Sequence, residues 1–188
     1  MKFAASSGAK RAVFLDRDGT LNHDPGYLAK AEEMHLFPLI GEALLDLTKA
    51  GFELVIISNQ SGVGRGLIPK SELLRIHQRM NDLLAQYHVR IDHLYLCLHR
   101  PEENCPCRKP KPKLILDAAQ ELNLDIRGSF MVGDRESDLK VGRAAGCGGV
   151  ALVRTGNGAE TEKTIKPGDV DFIGDSLCDV ARWILAKK

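Results

Sequence analysis

At 188 residues, 44% hydrophobic and 27% charged, the chain is long enough for one ordinary globular domain with a buried core. Its 26 basic and 25 acidic residues nearly cancel and only 5% of residues are aromatic, which speaks against binding nucleic acid or membrane through bulk charge or base stacking. No apolar run approaches the length of a bilayer span and Met1-Lys2-Phe3-Ala4-Ala5 is too short for a secretory core, so a soluble cytoplasmic protein with residues 1–9 as a loose tail is expected.

In chain order, Val13-Phe14-Leu15 is apolar with no polar alternation, the pattern of a central parallel strand buried on both faces. It runs into Asp16-Arg17-Asp18-Gly19-Thr20, which places two carboxylates at the strand tip. Neighbouring carboxylates raise each other's pKa unless a cation lies between them, and a divalent metal is the usual remedy. By itself the stretch reads equally as a strand followed by an Asp-Gly turn. Residues 21–36, with Asn22, Asp24, Pro25, Gly26 and Tyr27, have loop chemistry, and a long loop after a strand tip often carries function. Ile40, Ala43, Leu44 and Leu47 share one helical face over 40–50, with Gly51 at the C-terminal cap. Phe52–Ile57 reads as a second buried strand leading into Ser58-Asn59-Gln60-Ser61, and Gly62-Val63-Gly64-Arg65-Gly66 reads as a turn. After Pro69, the stripe Leu73, Ile76, Met80, Leu83, Leu84 and Tyr87 predicts a long amphipathic helix.

A third strand, His93–Leu98, feeds a cluster of Cys97, His99, Cys105 and Cys107, followed at once by Arg108 and Lys109. Next come a helix over 113–122, a strand Ser129–Val132 ending at Gly133-Asp134, a helix Ser137–Ala145, a fifth strand Gly149–Val153 and a closing helix over 176–186. Residues 155–169 read as the loosest surface connection. Strand alternates with helix almost throughout, which predicts an α/β fold: one domain, an open parallel sheet flanked by helices, with no room for a large cap domain. Five cysteines, an odd number, without a leader segment argue against a disulfide framework. Three sulfurs and one imidazole packed between Cys97 and Cys107 suit a closed, structural Zn2+ site that braces the loop carrying Arg108 and Lys109. The plainer alternative is a buried strand cysteine beside an exposed loop histidine. Cys147, Cys178 and Trp183 are assigned to the core, and His23, His35, His77, His88 and His93 lack ligand spacing.

In open parallel sheets the ligand crevice lies beyond the carboxyl ends of the strands. Here those ends carry Asp16 and Asp18, Ser58 and Asn59, and Asp134, with Lys109 following the third strand. Carboxylates at this density suit Mg2+. A carboxylate nucleophile, a metal, a lysine and a hydroxyl together make a phosphoryl-transfer site. Asp16-x-Asp18-Gly19-Thr20, Ser58-Asn59, Lys109 and Gly133-Asp134 with Asp138, in order across residues 12–154, resemble the four motifs of the haloacid-dehalogenase (HAD) phosphatases. The resemblance implies that Asp16 attacks phosphorus, Asp18 acts as acid and base, and Ser58 and Lys109 stabilise the transferring group. It also implies that Asp16, the Asp18 carbonyl and Asp134 hold Mg2+, with Asp138 orienting Asp134 or Lys109.

Within that superfamily the zinc loop followed by Arg-Lys-Pro resembles two branches, the heptose-1,7-bisphosphate 7-phosphatases of lipopolysaccharide-core synthesis and the histidinol-phosphate phosphatases. Asp16 through Asn22 with Gly26-Tyr27, Asn59 through Gly66, and Leu152 through Gly156 favour the first. The five residues between His99 and Cys105 match the second. The resemblance further implies that Arg108 recognises the distal part of the substrate. It makes Asp24, Pro25, Gly26 and Tyr27 a substrate loop, and Ser58, Asn59, Gln60 and Ser61 a phosphate loop. Arg65 is a candidate for a second phosphate. A small phosphorylated sugar handled by a monomer is expected, in a shallow, loop-framed site. A zinc-braced binding module and a DNA-end phosphatase are the other readings; the second calls for a basic groove that this composition does not supply.

Overall fold

The computed structural model describes residues 8–187, so most of the expected N-terminal tail, residues 1–7, lies outside the described residues. In chain order the elements are β1 (Arg11–Leu15), α1 (Ile40–Lys49), β2 (Phe52–Asn59), α2 (Ser61–Gly64), α3 (Lys70–Leu84), β3 (His93–Cys97), α4 (Lys113–Glu121), β4 (Phe130–Gly133), α5 (Glu136–Ala145), β5 (Gly149–Val153), α6 (Gly158–Glu162), β6 (Phe172–Gly174) and α7 (Leu177–Ala186). The strands form one six-stranded sheet, all neighbours parallel, in the order β3-β2-β1-β4-β5-β6.

The apolar run of β1 is explained by its place at the centre. Val13 and Leu15 face one core layer with Leu44 and Leu47 of α1, Ile76 and Met80 of α3, and Val180 and Ile184 of α7. Ala12 and Phe14 face the other layer with Ile115 and Ala118 of α4 and Leu139 and Val141 of α5. Fully burying a side chain such as Phe14 or Leu15 contributes about 1.5–3 kcal/mol, so the strand that carries the acidic tip is also among the most firmly held.

Register sets the site. Leu15 aligns with Ile56 on one side and Val132 on the other, so the tips of β1, β2 and β4 end nearly level. The strand order reverses between β1 and β4, which opens a crevice at their carboxyl ends.

Four segments differ from the sequence expectation, the first being the glycine-rich stretch expected as a turn, which opens with the short helix α2. β2 continues through Ser58 and Asn59, because β3 pairs with it as far as Asn59↔Cys97. This continuation brings the cysteine loop alongside the strand tips. The sixth strand, Phe172–Gly174, pairs with β5 and is too short to show periodicity in sequence. The stretch expected to be loosest contains α6 and is bonded into the site, as described below. No helix among the described residues is long and apolar enough to cross a membrane.

Candidate active site

Asp16 continues from β1, its backbone N–H donating to Val132 O at 3.0 Å, and the residue is 5% exposed. Lys109, equally buried, reaches in from the segment that follows the cysteine loop. Its ammonium donates to Asp16 Oδ1 at 2.7 Å and to Ile57 O at 2.8 Å, and pairs with Asp138 Oδ1 at 2.6 Å. The first two contacts are hydrogen bonds and the third is a close ion pair. Burial would lower the pKa of Lys109, but the carboxylates of Asp138 and Asp16 hold it above the ordinary lysine value. Burial pushes the Asp16 carboxyl up, opposed by the Lys109 ammonium and reinforced by Asp138. Asn59 fixes the lysine from behind, since its Oδ1 accepts from Lys109 N at 3.1 Å and its Nδ2 donates to Lys109 O at 3.4 Å.

The Asp18 side chain is 19% exposed and lies beside that of Arg17, which is 1% exposed. Arg17 Nε donates to Asp18 Oδ1 at 3.0 Å and Nη2 to Oδ2 at 2.6 Å. Asn22 Nδ2 donates to Oδ1 at 2.9 Å and Gln60 Nε2 to Oδ2 at 2.8 Å. Although burial acts to raise it, the Arg17 guanidinium and these hydrogen bonds hold the Asp18 carboxyl below its usual range. Four N–H groups thus donate to the two Asp18 oxygens, a setting that suits the carboxylate form.

Asp134, at the tip of β4, is fully buried. Asn157 donates to its Oδ2 twice, from the backbone at 2.7 Å and from Nδ2 at 3.0 Å, while Thr161 Oγ1 donates to its carbonyl at 2.8 Å. Its Oδ1 receives no hydrogen bond from any described residue. Burial and the nearby Asp16 raise this carboxyl, opposed by Asn157. Oxygens of Asp16, Asp134 and Asp138 lie within 4.8 Å of one another, compatible with the oxygen spacing of about 3.0–4.2 Å around an octahedral Mg2+. Asp134 Oδ1, which has no hydrogen-bond partner among the described residues, and the neighbouring Asp16 carboxylate make an all-oxygen donor set that fits the hard cation, while Asp138 is ion-paired to Lys109. Gly19 makes room for this arrangement: its φ is +89°, and a Cβ there would fall on the Asp134 carboxylate.

Asp16, Asp18, Lys109 and Asp138 line a cleft of about 330 Å³. Its walls bring in Asp24, Gly26, Tyr27, Ser61, Arg108 and Arg135. Arg108 Nη1 is buried without a hydrogen-bond partner among the described residues, and Arg135 Nη2 pairs with Asp24 Oδ2 at 3.0 Å across the mouth.

Beside the cleft, Cys97 Sγ lies 3.4 Å from Cys105 Sγ and 3.8 Å from His99 Nδ1, and Cys107 Sγ lies 3.3 Å from His99 Nδ1 and 3.5 Å from Cys105 Sγ. A tetrahedron with Zn–S of 2.3 Å has S···S edges of about 3.8 Å, so the four ligand atoms already stand near the corners that Zn2+ requires.

Comparison with known proteins agrees with this geometry. Residues 106–180 match a family model described as HAD-hydrolase-like. The chain is 40% identical over 180 residues to D-glycero-beta-D-manno-heptose-1,7-bisphosphate 7-phosphatase of Photorhabdus laumondii, covering 92% of this chain and 94% of that protein. It is 36% identical to the enzyme of the same name from Escherichia coli K12, covering 92% and 93% of the two chains. A crystal structure of D,D-heptose 1,7-bisphosphate phosphatase from B. bronchiseptica, complexed with magnesium and phosphate, superposes with a TM-score of 0.88 at 34% identity, over 95% of this chain and 99% of that one. The chain belongs to the heptose-1,7-bisphosphate 7-phosphatase family of HAD-like hydrolases. As a member of that family it is a phosphoric monoester hydrolase.

The structure of this heptose-bisphosphatase family member gathers Asp16, Asp18, Ser58, Lys109 and Asp138 at one cleft, with Asp134 directly beneath. Asp138 pairs with Lys109, not with Asp134, and its Oδ2 also accepts from Arg135 N at 3.0 Å. The Asp18 side chain turns toward Arg17, so any share it has in a metal site falls to its backbone carbonyl. Asn59 and Gln60 line the cleft, yet their side-chain groups are bonded to Lys109 and to Asp18, Ser58 and Arg17. Pro25 is not among the lining residues; Arg65 also lies outside the cleft, in an ion pair with Glu102 at 2.9 Å. Cys147 is buried, whereas Cys178 and Trp183 are half-buried at the core's margin.

Sequence reasoning passed over Arg17, Asn157 and Arg135. Asn157 sits in a Gly-Asn-Gly run that carries only turn signals, and Arg17 and Arg135 lie between or beside acids whose partners are distant in sequence.

Proposed function

We propose that this chain is a magnesium-dependent, single-domain cytoplasmic phosphatase that removes the C7 phosphate from D-glycero-β-D-manno-heptose 1,7-bisphosphate, in lipopolysaccharide-core heptose synthesis. The observation that carries the reading is the Lys109–Asp16 pair on the cleft floor above the unpartnered Asp134 oxygen, in a chain whose relatives bear that enzyme's name. Those names specify the β anomer. One sheet with both core layers packed on it supports a single working unit.

In this reading Asp16 attacks phosphorus in line and forms an aspartyl-phosphate. Asp18, after taking a proton from solvent, gives it to the leaving C7 oxygen, and then as a carboxylate takes one from the water that hydrolyses the intermediate. Lys109 acts on the phosphoryl group as a fixed positive charge behind the nucleophile, kept protonated by Asp138. Ser58 donates to a phosphoryl oxygen. Mg2+, held by Asp16, the Asp18 carbonyl and Asp134, would neutralise charge on the phosphoryl oxygens. Arg108, with a buried guanidinium nitrogen lacking a partner, receives the distal phosphate, and Arg135 flanks it.

The short spacing between His99 and Cys105 keeps histidinol phosphate as the second candidate substrate. Measured kcat/KM should favour the heptose bisphosphate by about 10²-fold or more, because histidinol phosphate leaves Arg108 without an anion. An equal or reversed ratio would move the assignment to the other branch.

We assign the Cys97, His99, Cys105, Cys107 set to structural zinc. Elemental analysis should find about one zinc per chain. Cys107→Ser should lose that metal, melt earlier and lower kcat by about tenfold, since Arg108 and Lys109 follow directly and depend on the loop's shape.

A further inference from the structure

Gln60 is 5% exposed and makes three side-chain hydrogen bonds. Its Oε1 accepts from Arg17 Nη2 at 3.0 Å, and its Nε2 donates to Asp18 Oδ2 at 2.8 Å and to Ser58 Oγ at 3.0 Å. The partners fix which end of the amide is which. A guanidinium only donates and a carboxylate only accepts, so the carbonyl end must face Arg17 and the NH2 end must face Asp18. Both NH2 hydrogens are then committed. Ser58 Oγ is consequently an acceptor toward Gln60, and its single O–H is left to donate elsewhere. Ser58 is 2% exposed and lines the cleft, so the cleft is where that hydrogen can find a partner.

We infer that Gln60, anchored by Arg17, is a positioning residue that turns the Ser58 hydroxyl hydrogen toward the transferring phosphoryl group while holding Asp18 beside it. Gln60 does so without touching substrate, and one buried amide thus couples the hydroxyl donor to the acid/base carboxylate. The inference rests on the phosphatase reading above, but its test does not depend on the identity of the sugar.

Steady-state kinetics on p-nitrophenyl phosphate and on the heptose bisphosphate, with melting temperature and zinc content as folding controls, test it. Gln60→Glu keeps the shape but replaces NH2 by oxygen, so Ser58 must donate backward to residue 60 and Asp18 faces a second carboxylate. Gln60→Met fills the space with neither bond, and carries the test should the glutamate variant fold poorly. Both should lower kcat, Gln60→Glu by about 10²-fold and Gln60→Met by about tenfold, with KM held within about twofold. In a Ser58→Ala background the Gln60→Glu loss should shrink, because the hydroxyl it misdirects is gone. A raised KM at unchanged kcat would make Gln60 a substrate contact and overturn the inference. A Gln60→Glu loss of the same size with and without Ser58 would overturn it too. Wild-type protein inactive on every phosphate ester would overturn the phosphatase reading, and this inference with it.

Discussion

Asp16→Asn should reduce turnover by about 10⁴-fold or more while leaving the melting temperature and zinc content at wild-type values. The substitution is isosteric, and an amide oxygen still accepts from Lys109 Nζ, so the contact at 2.7 Å survives. What disappears is the carboxylate that bonds to phosphorus, and an amide does not replace it as a nucleophile. Stability should not suffer, because Asp16 lies among buried carboxylates: oxygens of Asp134 and Asp138 stand within 4.8 Å of it. Removing one of three like charges lessens their mutual repulsion. Phosphate release and thermal melting on the same preparation check both halves. Turnover within tenfold of wild type would remove Asp16 from the role of nucleophile.

Lys109→Met should be the most damaging single change to activity and stability together. The methionine matches the stem in length but carries no charge, so Asp16 and Asp138 would face each other in a buried site with no cation between them. Breaking a buried ion pair by removing one partner costs about 3–5 kcal/mol, chiefly because the remaining charges are uncompensated. Activity should fall by about 10²–10³-fold as the positive charge behind the transferring group is lost. A second substitution separates charge from packing: adding Asp138→Asn to Lys109→Met removes one of the stranded carboxylates and should restore part of the stability but none of the activity. Urea denaturation and kcat on the single and double variants measure this. A Lys109→Met protein of wild-type stability would show that the pair is not what holds the floor of the cleft.

The parts of the site that were legible in sequence are those that β-strands present at their tips. Asp16, Ser58 and Asp134 each follow an apolar run, and parallel strands in register bring such residues together whatever their separation in the chain. The cysteine loop was legible because its three sulfurs and one imidazole are close in sequence. The layer that holds these groups in place was not. Arg17 carries no signal of its own in the sequence, yet its side chain is 1% exposed and bonded to Gln60, a residue 43 positions away. Asn59 and Gln60 belong to the phosphate loop that the family resemblance implies, and the fold adds what the sequence does not show, that their amides bond to Lys109 and Asp18. The stretch after Val153 looked loose because glycines and charges dominate it, while in the structure Asn157 and Thr161 bond to Asp134 and Thr155 Oγ1 donates to Gly19 O at 2.7 Å. Spacing along the chain carries the chemistry at strand ends; hydrogen bonds between distant loops leave no periodic trace.

The central claim, that Asp16 removes one particular phosphate from a sugar bisphosphate, is tested most directly by following D-glycero-β-D-manno-heptose 1,7-bisphosphate by phosphorus NMR in the presence of the enzyme and magnesium. The account predicts that the C7 phosphoryl signal gives way to inorganic phosphate while the C1 signal persists. No release, or loss of the C1 phosphate with C7 intact, would contradict it.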